Sequence, residues 1–325
     1  MHSAPLTYAA SRRSTLADIE SYPTLTTAWL RTQHTLAQIQ TQLMDAALPS
    51  NLLTVAASGS LGRMEQLGSS DADLIVVLRD SPTTEVMRTT FDEVRTCIAP
   101  LCLPLPEPGG IFDHAITHDA LVSSENLGQI DESPTTFGKR IQLLLDAQPV
   151  FNPQEFERLQ AKIVARYLTD SDLHKTDAWN YLLDDLIRYF RCLSINSKWK
   201  HRGAPQKREN VRIKFGHSRR LLYAGLLLLL GESTVKRSTP MSEWLLSHLK
   251  LTPLERVSWV YQSQGDTNFS RIGGCYEKFL ATMADRKPNR VALHPNAAEF
   301  AAELSRFTFQ QDKAWDPDFV HRLLF

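Results

Sequence analysis

Cysteine is scarce in this chain, and an excess of either charge is missing altogether. The four cysteines, Cys97, Cys102, Cys192 and Cys275, have no metal-ligand spacing, and Cys97 and Cys102 stand too far apart for a C-x-x-C redox or zinc motif. They read as reduced thiols, most of them buried, in a cytoplasmic protein. Lysine plus arginine (36) balance aspartate plus glutamate (36), so no global field favours nucleic acid or a membrane surface; any such argument must be local. Residues 1–13 lack the apolar stretch of a secretory leader. The longest apolar run, Leu221 to Leu230, is about half a bilayer span and reads as a buried helix. No repeat and no low-complexity segment occurs.

Over 325 residues, 42% of them hydrophobic, a sizeable core is available and two domains are the natural expectation. A helix is expected from Leu25 to Ala47, capped by Thr24, with Ala28, Trp29, Leu36, Ile39 and Leu43 near one stripe. Strands are expected over Leu52–Ala57, Leu74–Leu78, Leu101–Leu105 and Ile111–Thr117, with a helix from the Asp80-Ser81-Pro82 cap to about Ile98. Beyond Phe137 the periods are helical almost throughout, most clearly at Trp179, Leu182, Leu183, Leu186, Phe190 and Leu193. The reading is an α+β protein: a helical segment over 1–48, a small mixed-sheet domain over 49–135, and an α-helical bundle over 136–325.

The densest chemical signal lies in Gly59-Ser60-Leu61-Gly62-Arg63-Met64-Glu65, followed by Ser70-Asp71-Ala72-Asp73 at the head of an apolar run. Alternate side chains of a strand share a face, which would set Asp71 and Asp73 side by side. Two hard carboxylates beside a Gly/Ser turn suit Mg²⁺ (or Mn²⁺) carrying a nucleoside triphosphate. Asp-x-Asp and Gly-Ser are each common alone; their joint spacing is far rarer.

That joint pattern resembles the signature of the polymerase-β-like nucleotidyltransferases, nearest the branch of protein uridylyl- and adenylyltransferases and their uncharacterised bacterial relatives. The resemblance implies that Gly59 and Ser60 contact the β and γ phosphates and that Asp71 and Asp73 ligate metal. It places Arg63 and Glu65 at the family's arginine and acid, either reaching phosphate or buttressing the turn. Ser70 would cap or orient the Asp71 loop, beside bound nucleotide. A third carboxylate from a neighbouring strand is expected; Asp113 is the first candidate and Glu107 the second. The implied activity is transfer of an NMP group from an NTP to a protein hydroxyl or a small molecule. A non-catalytic nucleotide-binding or interaction module and an RNA-modifying transferase are the alternatives.

Two further clusters need weighing. His114, His118 and Asp119 include a His-Asp dipeptide, but the chain shows no second set of metal ligands, so these read as polar loop residues. From Arg188 to Arg220 eleven Lys or Arg face one acid, Glu209. Arg188, Arg191, Arg212, Lys214 and Arg219 could grip triphosphate or an anionic acceptor; equally, they could be a solvated face on which Asp184 pairs with Arg188. Few aromatics interleave with these charges, which argues against a nucleic-acid stacking platform. Trp244, Trp259 and Trp315 read as packing residues.

Overall fold

Strands β1 (Leu52–Ala57), β2 (Leu74–Leu78), β3 (Ile116–Thr117) and β4 (Gln148–Phe151) form one mixed sheet in the order β3-β2-β1-β4. They belong to a computed structural model that describes residues 7–68, 70–80, 82–106, 108–123, 125, 128–167, 179–235, 240–285, 289–311 and 314–323. Its contacts divide the chain into two units, Met1–Arg13 with Thr27–Leu168 and Ser14–Thr26 with Thr169–Phe325. The architecture is mixed α+β, and no helix among the described residues is long and apolar enough to cross a membrane.

Every residue of β1 and β2 is buried, as their uninterrupted apolar runs require of strands covered on both faces. Fully burying a Val or Ile stabilises by roughly 1.5–3 kcal/mol. β1 pairs antiparallel with β2 (Ala57 opposite Leu74) and with β4 (Ala57 opposite Gln148), while β3 runs parallel to β2 (Val77 opposite Ile116). The end of β1 and the beginnings of β2 and β4 therefore meet on a single edge of the sheet, whereas β3 pairs with the last two residues of β2. That edge receives the Gly59 turn, the Asp71–Asp73 segment and Asp146.

Six helices accompany the sheet: α1 (Pro23–Asp45), α2 (Gly59–Gly62), α3 (Thr84–Ile98), α4 (His118–Val122), α5 (Pro134–Leu145) and α6 (Pro153–Arg166). The α1 stripe is as expected, with Leu36, Ile39 and Leu43 at 0% exposure. Its cap is not Thr24. Glu277 instead accepts hydrogen bonds from the amides of Thr24 (2.9 Å) and Leu25 (3.0 Å), and a carboxylate there satisfies amides the first turn leaves unpaired.

Three expectations about strands need correction. Leu101–Leu105 is a 3₁₀ turn (Ala99–Leu101) followed by irregular chain, because Pro100, Pro104 and Pro106 cannot donate to a ladder. Only Ile116–Thr117 of the 111–117 run pairs as strand. Conversely, Gln148–Phe151 is a strand read as helical country; Pro149 hides it, and an edge position tolerates it. The unit that holds the sheet comprises Met1–Arg13 and Thr27–Leu168.

The second unit is helical: α7 (Asn180–Lys200), α8 (Pro205–Gly216), α9 (Ser218–Ser233), α10 (Met241–Leu249), α11 (Pro253–Ser263), α12 (Phe269–Ala284), α13 (Leu293–Phe309) and α14 (Pro317–Arg322). The leucine run of α9 is its buried centre. A capping box starts α11, where Glu255 binds the Thr252 amide and also takes the Thr15 amide at 2.7 Å, which ties 14–26 to this unit. The tryptophans pack: Trp244 stacks on His248, and Trp315 donates to Glu232 at 3.2 Å. Of the four unpaired cysteines only Cys275 is buried, fewer than expected.

Candidate active site on the sheet edge

β1 leads directly into Ser58 and Gly59. Gly59 has φ +63°, a left-handed conformation that glycine adopts without strain. A Cβ there would lie 2.3 Å from Asp73 Oδ2, so the Asp73 carboxylate rests against the bare Gly59 backbone. The Ser58 amide donates to the Asp73 carbonyl at 2.8 Å, one step beyond the Ala57–Leu74 pair, which fixes this approach from the main chain. The turn and the second aspartate of the motif, 14 positions apart in sequence, are thus brought together.

Asp71 and Asp73 precede β2 and are not part of it. Asp71 is exposed, Ala72 buried and Asp73 half-buried. The Ala72 amide donates to the Pro104 carbonyl at 2.9 Å, securing the segment on its other side. Ser70 Oγ accepts from the Leu67 amide at 2.9 Å and the Ser70 amide donates back to Leu67. It closes the loop ahead of Asp71.

The turn is buttressed by a residue that sequence reasoning missed. Asp146, 1% exposed, accepts from Ser58 Oγ at 2.6 Å and from Arg63 Nη1 at 2.9 Å. Arg63 Nε donates to Glu65 Oε1 at 2.5 Å. Arg63 and Glu65 therefore brace the turn, which is the buttressing alternative for this pair. Gly62 is part of the same fit, since a Cβ on it would lie 2.0 Å from the Asp146 carbonyl. Ser58, the residue positioned to cap α2, spends its hydroxyl on Asp146 instead. Ser60 Oγ is enclosed and has no hydrogen-bond partner among the described residues, a costly state unless a ligand supplies one.

Asp113 lies three residues ahead of β3 and is not on a strand. Its carboxylate accepts from the Gly109 amide at 2.8 Å and lies 3.9 Å from Arg95 Nη1. Beside it, the fully enclosed Lys139 donates to the His114 carbonyl. Burial brings the Lys139 amine down to about 7, while Asp113 pulls it upward. Lys139 is a second residue the motif did not reveal. Glu107 lies outside the described residues. His118 pairs with Asp119 at 2.9 Å and sits 3.1 Å from Lys162 Nζ, an exposed polar cluster.

No group of three or more His, Cys, Asp or Glu side chains is placed to hold a metal among the described residues. Asp71, Asp73 and Asp113 are thus not gathered as a three-carboxylate cage. Mg²⁺ does not demand one, because it is commonly held by one or two carboxylates together with water and substrate phosphates. The orphan Ser60 hydroxyl and the carboxylate lodged on Gly59 fit such an ion with its phosphates.

The basic residues belong to the helical unit. Arg188 pairs with Asp185 at 3.1 Å, not with Asp184, which meets Arg322 at 3.2 Å. Arg219 donates to Ser197 at 3.1 Å and lies over the Phe215 ring at 4.4 Å. Arg191, Arg212 and Lys214 are exposed. A break at His217 separates α8 from α9.

Comparison with known proteins yields no matching family model, curated protein or solved structure.

Proposed function

We propose that the sheet edge is the active site of a Mg²⁺-dependent nucleotidyltransferase acting on a nucleoside triphosphate. The observation that carries this reading is the Asp73 carboxylate seated on the Gly59 backbone, next to the unpartnered Ser60 hydroxyl. Asp71 and Asp73 would hold the divalent ion, which supplies charge neutralisation at the phosphates and at the departing pyrophosphate. Ser60 Oγ and the turn backbone bind phosphate oxygens. Asp146, Arg63 and Glu65 keep the turn in shape, and Ser70 fixes the approach to Asp71. An acceptor hydroxyl, its proton passing to solvent, attacks the α phosphorus, the bond from that phosphorus to the bridging oxygen breaks, and pyrophosphate leaves. The acceptor is a protein hydroxyl or a small molecule.

The direct test is pyrophosphate release from each NTP with Mg²⁺, in the native chain and in Asp73→Asn and Asp71→Asn. Loss of turnover by about 10²-fold or more in Asp73→Asn, at an unchanged unfolding midpoint, supports the assignment. Tight NTP binding with no pyrophosphate from the native chain, over varied acceptors and metals, would make this a nucleotide-binding module instead.

A further inference from the structure

A cavity of about 950 Å³ opens within the helical unit, lined from α7, α8, α9 and α13. α8 and α13 touch at its margin, where a Cβ on Gly216 would lie only 2.8 Å from Ala297 Cβ. Beyond that contact the small side chains Ala297, Ala298 and Ala301 leave room, and Phe190 and Leu293 give the space an apolar wall. The volume is in the range of a small-molecule site.

Its charge is one-sided. Lys198, Arg208, Arg212 and Arg220 all line it, and Glu209 is the acid among the lining residues. His294 Nε2 lies 2.6 Å from Glu209 Oε1. Among the described residues none of the four cations forms an ion pair. Arg208 and Arg212 stand four apart on α8, on one helical face. Arg220 is the telling member. It is partly enclosed, and its hydrogen bonds run from Nη1 to the carbonyls of Ala297 (3.1 Å) and Gly216 (3.4 Å). The rest of its five-donor fork makes no hydrogen bond among the described residues. A guanidinium fork matches phosphate geometry.

We infer that this cavity binds a phosphomonoester, its phosphate held by Arg212 and Arg220 with Lys198 and Arg208, and its organic body against Phe190 and Leu293. A nucleotide, a sugar phosphate and an aryl phosphate share this chemistry. The inference does not rest on the nucleotidyl-transfer reading, whose residues lie in the other unit.

Calorimetry on the full chain at low ionic strength tests it, with phenyl phosphate, AMP, glucose 6-phosphate and inorganic phosphate as probes. At least one of the three esters should bind more tightly than inorganic phosphate, and the one that does identifies the body the cavity accepts. Arg212→Gln, an exposed position, should weaken that ester by about 10-fold or more, and Asp73→Asn should leave it unchanged. Equal affinity in Arg212→Gln and the native chain, loss of binding in Asp73→Asn, or no ester surpassing inorganic phosphate would each overturn the proposal. Arg208→Gln provides a second exposed variant with the same expected direction.

Discussion

Lys139 occupies an environment that its residue type disfavours. It is 0% exposed, and among the described residues no carboxylate lies within ion-pair distance of its amine. Its bond to the His114 carbonyl holds the chain just ahead of β3, next to Asp113 in sequence. Burial disfavours the ammonium and sets its titration at about 7, against 10.5 for a free lysine. The unfolded chain therefore holds this proton more tightly than the folded one. The resulting penalty is full below about pH 7 and fades as pH rises toward 10.5. Lys139→Met should accordingly be more stable than the native chain at pH 7, with the gap closing by about pH 10. Urea midpoints at the two pH values measure this, and a gap that stays constant would remove the charge explanation. A lysine in a run such as Gly138-Lys139-Arg140 looks exposed in sequence. Nothing local discloses that α5 turns this face inward.

Among the elements, the short turn after β1 depends on a residue from a distant one. Asp146 ends α5 and sits 88 positions from the Ser58 hydroxyl it accepts, while its other oxygen takes Arg63. Removing it strands a buried hydroxyl and leaves a partly buried arginine without one of its acids. Asp146→Ala should cost about 3 kcal/mol or more, and Asp146→Asn, which keeps an acceptor for Ser58, clearly less. Chemical denaturation of the two variants separates these outcomes; equal and small losses would mean that the turn holds without this brace. The contrast shows what sequence discloses about this site. Gly59, Ser60, Asp71 and Asp73 are legible because a short-range motif places them, and β1 and β2 because apolar β-branched runs mark a doubly covered strand. Asp146 and β4 are not, since one is a lone acid after a leucine run and the other carries Pro149. Asp113 is not legible either, since its engagement by Gly109 and Arg95 depends on a loop with no periodic pattern.

For the molecule as a whole, balanced formal charge removes net self-repulsion as a force near neutrality, so buried titrating groups shape its response to pH. His217, 0% exposed in the helical unit, uses both ring nitrogens in the neutral form. Nδ1 donates to the Ile213 carbonyl at 2.9 Å and Nε2 accepts from Asn296 Nδ2 at 2.9 Å. A second ring proton would point at the Asn296 amide hydrogens. Burial lowers its titration below 6.5, and Arg220 adds to this against the opposing bond to Ile213. Because the folded value is below the unfolded one, its stability contribution is full above about pH 6.5 and is lost as pH falls toward the lowered value. Lys139 acts in the same sense between about 7 and 10.5. The tyrosines act oppositely: burial raises Tyr223 to about 12 and pushes Tyr8 and Tyr261 upward, so stability is full below 10 and declines above it. These signs place the maximum on the alkaline side, about pH 8 to 10, above the isoelectric point of 7.2. Urea midpoints from pH 5 to 11 should rise to that range and then fall, and His217→Gln should flatten the limb below about pH 6.5. A maximum at or below pH 6, or an acid limb unchanged by His217→Gln, would show that exposed carboxylates and not these enclosed bases govern the folded state.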